Sequence, residues 1–101
     1  MNQVITLTGG NIRNSHMYLT GFIDQFPKST VGGKNRSLIA PELLTIEFAG
    51  VGSVTTDIDG TKRIFRERAI QKQFFEKHSL EEGAQVRITS INDFSYRVSV
   101  V

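Results

Sequence analysis

Two short stretches of the sequence concentrate side chains that bind anions or read hydrogen-bonding surfaces. Residues 61–78, TKRIFRERAIQKQFFEKH, contain six Lys or Arg and only two acidic residues. Residues 11–16, NIRNSH, combine two Asn with one Arg, one Ser and one His. Arg and Lys bind phosphate, and Arg and Asn can each form paired hydrogen bonds to a base edge. Both stretches therefore suit a polyanionic partner.

Catalytic and metal-binding chemistry has few candidate residues. The chain has no Cys and only two histidines, His16 and His78. His78 is in phase with apolar residues of a predicted helix, so we interpret it as a helix-end residue favoured by the helix dipole. Asp57 and Asp59 lie two apart near a turn, which suits turn formation better than acid–base chemistry. We therefore expect no enzymatic activity, no cofactor and no metal site.

The segment VGGKNR, residues 31–36, superficially matches the end of a phosphate-binding loop. The spacing of that motif puts Lys28 where its first glycine belongs, and Asn35 where Ser or Thr would bind magnesium. We reject a nucleoside triphosphate site and interpret the segment as a loop, because it combines two adjacent glycines with small polar residues.

Charge is distributed unevenly along the chain. Residues 1–41 carry four basic side chains against one acidic, residues 42–60 carry four acidic and no basic, and residues 61–78 carry six basic against two acidic. If the fold brings the two basic segments together, the surface is strongly two-sided, as expected for a polyanion binder.

The hydrophobic pattern predicts how these residues are positioned. Short alternating runs predict six or seven strands, with hairpins at Asp59-Gly60 and Asn92-Asp93 and one strand within residues 16–22. From Arg68 the period changes to that of a helix of about three turns. Regular short strands suggest a small barrel. The predicted core contains Ile46, Phe48, Phe65, Ile70, Phe74, Leu80, Val86, Ile88 and Val98.

The 101 residues suit one domain, residues 1–101. The N-terminus lacks the basic start and long apolar run of a signal peptide, and no apolar stretch approaches the ~18 residues of a membrane span. We expect a cytoplasmic protein that does not enter a membrane.

Residues 43–100 resemble the DNA-binding pseudobarrel family, which includes plant B-three transcription-factor domains and effector domains of some bacterial restriction enzymes. Phe65-Arg66 matches the aromatic-Arg pair of that family, and Phe74-Phe75 matches its helix aromatics. The family's signature after the helix is matched by His78, Leu80, Gly83, Val86 and Ile88. Its closing strand is matched by Tyr96 and Val98. Ala84 departs from the pattern, since the family usually has an acidic residue there.

The resemblance implies a mainly β fold, a small open seven-stranded pseudobarrel with one or two short helices. It also implies sequence-specific binding of double-stranded DNA by two loop arms in the major groove, in restriction-modification or transcription regulation. Carried onto this sequence, the N-arm contains Asn11, Arg13, Asn14, Ser15 and His16. The C-arm region contains Lys62, Arg63, Arg66, Arg68 and Gln71, although Arg66 could instead be structural. Lys34 and Arg36 of the first basic segment complete the set of expected DNA contacts.

Two other classes of function stay open at this point. One is a protein-interaction or antirestriction-type regulatory module that docks on a protein partner and binds no DNA itself. The other is a barrel that binds single-stranded nucleic acid, which would need exposed aromatic side chains for base stacking, with Tyr18 and Phe22 as candidates.

Overall fold

Eight β-strands and two α-helices form in the computed structural model, which describes all 101 residues. The strands are β1 (Asn2–Thr6), β2 (Val31–Gly32), β3 (Leu44–Phe48), β4 (Gly52–Thr56), β5 (Ile58–Asp59), β6 (Ile64–Phe65), β7 (Gln85–Asn92) and β8 (Ser95–Val100). The helices are α1 (Gly9–Asn14) and α2 (Ala69–Lys77), and short 3-10 turns lie at Ile23–Gln25, Lys28–Thr30 and Arg36–Leu38. The predicted mainly β fold with short helices is confirmed, with eight strands in place of seven.

The strands form two sheets that do not close into a barrel. The larger sheet has the order β1-β7-β8-β3-β4, and the smaller has the order β2-β5-β6. Neighbours in the larger sheet are antiparallel except for β3 and β8, which run parallel. Both predicted hairpins form, β5 to β6 and β7 to β8.

One apolar core joins the larger sheet, α2, the smaller sheet and the segment from Met17 to Phe26. Leu44, Ile46 and Phe48 of β3 are buried, as the alternation predicted. The ring of Phe74 on α2 lies 5.5 Å from the ring of Phe48. Seven of the nine predicted core residues are buried, whereas Ile70 and Leu80 are half-buried at the edge of the core.

His78 follows the last residue of α2 as its C-cap, in agreement with the predicted position of His78 at the helix end. The imidazole Nε2 of His78 lies 2.7 Å from the carbonyl oxygen of Ala49, so the side chain ties the helix end to the turn after β3. With nine residues, α2 is the longer of the two helices and is too short to cross a bilayer.

Residues 16–22 form no strand, and this prediction is wrong. Met17 and Leu19 are buried while Tyr18 is exposed, so the alternation seen in the sequence is real. The extended segment nevertheless forms no ladder, because its link to the β5–β6 connection is the single backbone bond from Leu19 N to Arg63 O, at 2.8 Å. The chain then turns at Phe22.

The expected loop after β1 is instead the short helix α1. Thr8 caps it: the Thr8 hydroxyl accepts from Asn11 N at 3.1 Å, and Asn11 Oδ1 accepts from Thr8 N at 2.9 Å. This reciprocal pair satisfies two backbone donors that the first turn leaves without helical partners. The helix ends at Ser15, whose φ of 55° lies in the left-handed region.

Candidate nucleic-acid interface

Five basic side chains converge on one surface depression. Its lining consists of Lys34, Arg36, Asp59, Lys62, Ile64, Arg66 and Arg68. The first two belong to the loop after β2, and the others to the segment from β5 to the start of α2. We call this surface the basic depression. The fold therefore brings together the two basic segments of the sequence, which an acidic segment separates along the chain.

The positive charge of Arg66 is not free to bind a ligand in this depression. Its Nε donates to Asp57 Oδ1 at 2.6 Å, and one terminal nitrogen donates to Asp57 Oδ2 at 3.0 Å. That same nitrogen donates to Gly33 O at 2.6 Å, while the other donates to Lys34 O at 3.2 Å. The hydrogen bond to Asp57 raises the pKa of Arg66. Of the two roles open to Arg66 in the sequence, the geometry fits the structural one.

Residues 33–40, which we call the basic loop, project from this anchor. The Asp57 carboxylate is fully buried, and its Oδ2 accepts from Ala40 N at 2.8 Å. Within the loop, Gly33 N donates to Leu38 O at 2.8 Å. All six residues 34–39 are exposed. The loop therefore presents a Lys, an Asn, an Arg and a Ser on a fixed base.

The two adjacent glycines of VGGKNR have a packing role. A methyl group on Gly32 would lie 2.5 Å from Asp57 Oδ2 and 2.6 Å from Leu38 O. A methyl group on Gly33 would lie 2.8 Å from the Leu38 side chain. No side chain fits at either position without a shift of its neighbours, so the motif builds the base of the basic loop.

Most cations around the depression are free to bind an anion. The protein contains three ion pairs, Arg36–Glu67, Arg66–Asp57 and Arg97–Glu47. Lys34, Lys62 and Arg68 therefore have no acidic partner, and the exposed Arg36–Glu67 pair is of the weak surface type.

His16 links the N-terminal segment to this positive surface. Its ring is almost completely buried, lies 4.9 Å from the ring of Tyr18, and has no hydrogen-bond partner at either nitrogen. Burial lowers the pKa of His16, and the charges of Arg68 and Lys62 lower it further. His16, at the end of the NIRNSH stretch, is thus close enough to Arg68 and Lys62 for their charges to affect it, whereas Arg13 and Ser15 line a different groove from the basic depression.

The remaining predicted contacts are distributed over different environments. Arg13 and Ser15 line a second groove beside Lys72 on the flank of α2, and Asn14 is exposed on α1. Lys72 lies one helical turn beyond Arg68, on the same side of α2. The exposed Arg63 borders another depression, with Lys28 and Asp24.

Three of the predicted contacts are buried. Asn11 serves the cap of α1, and Gln71 Nε2 donates to Glu67 O at 2.7 Å. His16 also has both ring nitrogens covered. None of the three presents a polar atom to a nucleic acid, because all three side chains are buried.

Asp57 is the organising residue that the sequence did not reveal. Asp59 has the predicted turn role, because its Oδ1 accepts from Thr61 N and Lys62 N at 2.9 and 3.0 Å. Asp57, also assigned to a turn, instead binds the guanidinium of Arg66 inside the protein. Its spacing of nine residues from Arg66 carries no local signature, so only a three-dimensional structure reveals the pair.

Comparisons with known proteins establish the fold. No family model matches the sequence, and no curated protein matches it. Among solved structures, the hypothetical Arabidopsis thaliana protein At1g16640.1 is similar at a TM-score of 0.63 and 14% identity, covering 100% of this chain and 89% of that one. The N-terminal domain of Helicobacter pylori LlaJI.R1 is similar at a TM-score of 0.61 and 9% identity, covering 100% and 87%.

Proposed function

We propose that this protein binds double-stranded DNA through the basic depression and the basic loop. The observation that carries the proposal is the convergence of Lys34, Lys62 and Arg68, none of them ion-paired, on one surface. Cations without acidic partners on a shared surface release counterions from a nucleic-acid backbone when they bind it.

The basic loop supplies groups suited to reading bases. Asn35 and Arg36 are exposed on it, and these side chain types bind adenine and guanine edges through paired hydrogen bonds. The loop is anchored at both ends, which lowers the entropy lost when it binds. We assign base reading to this loop and backbone contacts to Lys62 and Arg68, with Arg13 and Lys72 extending the surface along α2.

The overall fold supports the same function. Residues 43–100 resemble the pseudobarrel family of plant and bacterial DNA-binding domains, and the two similar solved structures support the fold that this resemblance implies. We therefore include in the proposal a role beside a restriction-modification enzyme or in transcription regulation. We propose a binding module without catalysis, which fits histidines that are either buried or bonded to backbone.

Single-stranded nucleic acid is the less favoured ligand. Base stacking needs exposed aromatic side chains, and of the two candidates only Tyr18 is exposed, because Phe22 is buried in the core. A single exposed aromatic side chain does not form the stacking platform of single-strand binders.

The proposal is tested by titrating a labelled duplex with the protein at low salt, followed by fluorescence anisotropy. The same strand, unpaired, serves as competitor. We expect the duplex to bind and the single strand to compete poorly. Preferential binding of the single strand would favour the stacking alternative, and no binding to either would favour a protein-docking module.

Selection from random duplexes then tests base reading. Asn35→Ala is expected to weaken binding to the selected site more than to a scrambled duplex, because a lost base contact affects only the site that carries the base. Lys62→Ala should weaken both alike, as a phosphate contact does. Equal losses for Asn35→Ala on both duplexes would contradict the base-reading role of the loop.

A further inference from the structure

We propose that Asp57 and Arg66 act as a positioning pair for DNA binding: they hold the basic loop in its binding conformation without contacting DNA themselves. This inference rests on the proposed function. It assigns a role to the cation of the depression that forms a buried ion pair, and to the acidic residue that pairs with it beneath the basic surface.

The pair fastens the basic loop at both ends. Arg66 donates to the carbonyl oxygens of Gly33 and Lys34, where the loop begins. Asp57 accepts from Ala40 N, where the loop ends. The two side chains are joined to each other by two hydrogen bonds. Residues 34–39, which are all exposed, are therefore anchored at both ends by a single buried ion pair.

No other side chain secures the start of the loop so closely. The only further hydrogen bond between a distant side chain and residues 34–39 is the exposed one that Arg36 donates to Glu67, which solvent weakens. Beneath the loop, Gly32 and Gly33 allow its backbone to approach Asp57 and Leu38 more closely than any larger residue could. Loss of the pair would therefore free the loop without removing its cations, Lys34 and Arg36.

Electrostatics and positioning make opposite predictions for Asp57→Asn. Removing a negative charge next to the basic depression should tighten DNA binding if only the field matters, because the protein becomes more positive. If the pair positions the loop, the same substitution weakens binding, since Asn cannot hold the guanidinium and the Ala40 amide as a carboxylate does. The sign of the change distinguishes the two.

Arg66→Lys tests the inference at constant charge. Lysine keeps the positive charge but lacks the planar fork that reaches one carboxylate and two carbonyls. We expect about a tenfold loss of duplex affinity, equivalent to one lost charge-assisted contact. Arg97→Lys is the matched control, because Arg97 lies on β8 in an exposed pair with Glu47, and its affinity should equal that of wild type.

A double-mutant cycle separates positioning from a general loss of stability. In the Arg66→Lys background, Lys34→Ala and Arg36→Ala should lose most of their effect on affinity, because a freed loop no longer places these cations. Lys62→Ala, which lies outside the loop, should keep its full effect. Hydrogen exchange of the Ala40 amide, measured without DNA, should accelerate in both Asp57→Asn and Arg66→Lys.

The outcomes are distinguishable. If wild type binds no duplex, the proposed function fails and this inference with it. If wild type binds but Asp57→Asn binds more tightly, or Lys34→Ala and Arg36→Ala keep their full effects beside Arg66→Lys, the inference alone is overturned. Should either variant unfold at the assay temperature, Gly33→Ala replaces it, since it displaces Leu38 with both charges intact; unchanged affinity of that folded variant would likewise overturn the inference.

Discussion

Residues of the same charge have different roles here, and burial decides which. Lys62 and Arg66 are four residues apart and both line the basic depression. Lys62 is exposed and has no acidic partner, whereas the side chain of Arg66 is only 8% exposed and pairs with a fully buried carboxylate. Removing one partner of such a buried pair leaves an uncompensated charge, so Arg66 contributes to architecture, whereas Lys62 is available for the proposed binding.

His16 should make stability depend on pH. Its pKa is lowered in the folded protein, so the unfolded chain binds more protons below the usual value of about 6.5. The free energy of unfolding is therefore expected to fall as pH drops through 6.5 towards the folded pKa. Denaturant titrations of wild type and His16→Phe across this window measure the effect.

The Phe variant should lose this part of the pH dependence, since it has no titrating group. It should fold well, because Phe leaves no buried nitrogen without a hydrogen bond, as His16 does at both ring positions. Identical pH profiles for the two proteins would contradict the lowered pKa of His16 in the folded protein.

Phe74 is expected to be a principal contributor to core stability. It is fully buried and packs against the rings of Phe48, Phe75 and His78. Phe74→Ala should lower the free energy of unfolding by about 3–5 kcal/mol, measured by chemical denaturation. Gln73→Ala, exposed on the same helix, should change it by less than about 0.5 kcal/mol. Equal denaturation midpoints for the two variants would contradict the assignment of Phe74 to the core.

At the scale of elements, the two segments expected to be loops have different outcomes. The sequence predicted a glycine-flanked loop at residues 11–16, but the local pair Thr8 and Asn11 caps a helix there in spite of the low helix propensity of Gly9 and Gly10. The loop predicted at VGGKNR does form, and the distant side chains of Arg66 and Asp57 anchor it at both ends.

Gly32→Ala tests how closely the basic loop is packed on its base. The added methyl group would meet Asp57 Oδ2, Leu38 O and Ala40 N at 2.5–2.7 Å, and two of these are backbone atoms. We expect a loss of about 1–3 kcal/mol in the free energy of unfolding, as for overpacked sites.

Gly21→Ala is the matched control for this substitution. Gly21 is exposed and has no atom within 4 Å of the added methyl group, so its replacement should be neutral or slightly stabilising. If Gly32→Ala were as stable as Gly21→Ala, the close approach of the loop to Asp57 would be refuted.

The sequence predicts the second half of the fold well because its signals are local. Alternation in β3, β7 and β8 and the helical period of α2 each follow from neighbouring residues, and all four elements form. The first half depends on long-range contacts: residues 16–22 alternate like a strand but join the fold through one backbone bond, to Arg63. The same distinction applies to the candidate site. Lys62 and Arg68 were predictable from their charge, whereas the long-range pairing of Asp57 was not.

At the scale of the whole molecule, the charge pattern of the sequence is reorganised by folding. The acidic segment 42–60 does not form one negative surface, because Asp57 is internal, Asp59 binds turn amides and Glu47 pairs with Arg97. The two basic segments, in contrast, meet at the surface. A net charge of only +2 therefore coexists with a locally strong cationic site.

The salt dependence of duplex affinity tests the central claim most directly. Lys62→Ala removes a cation of the basic depression, and Lys77→Ala removes one from the far end of α2, near Gly50. Affinity of the wild type should fall steeply with salt, and the slope of log affinity against log salt should flatten by about one unit for Lys62→Ala and stay unchanged for Lys77→Ala. A wild-type affinity that is insensitive to salt, or equal slopes for the two variants, would contradict binding of DNA at the basic depression.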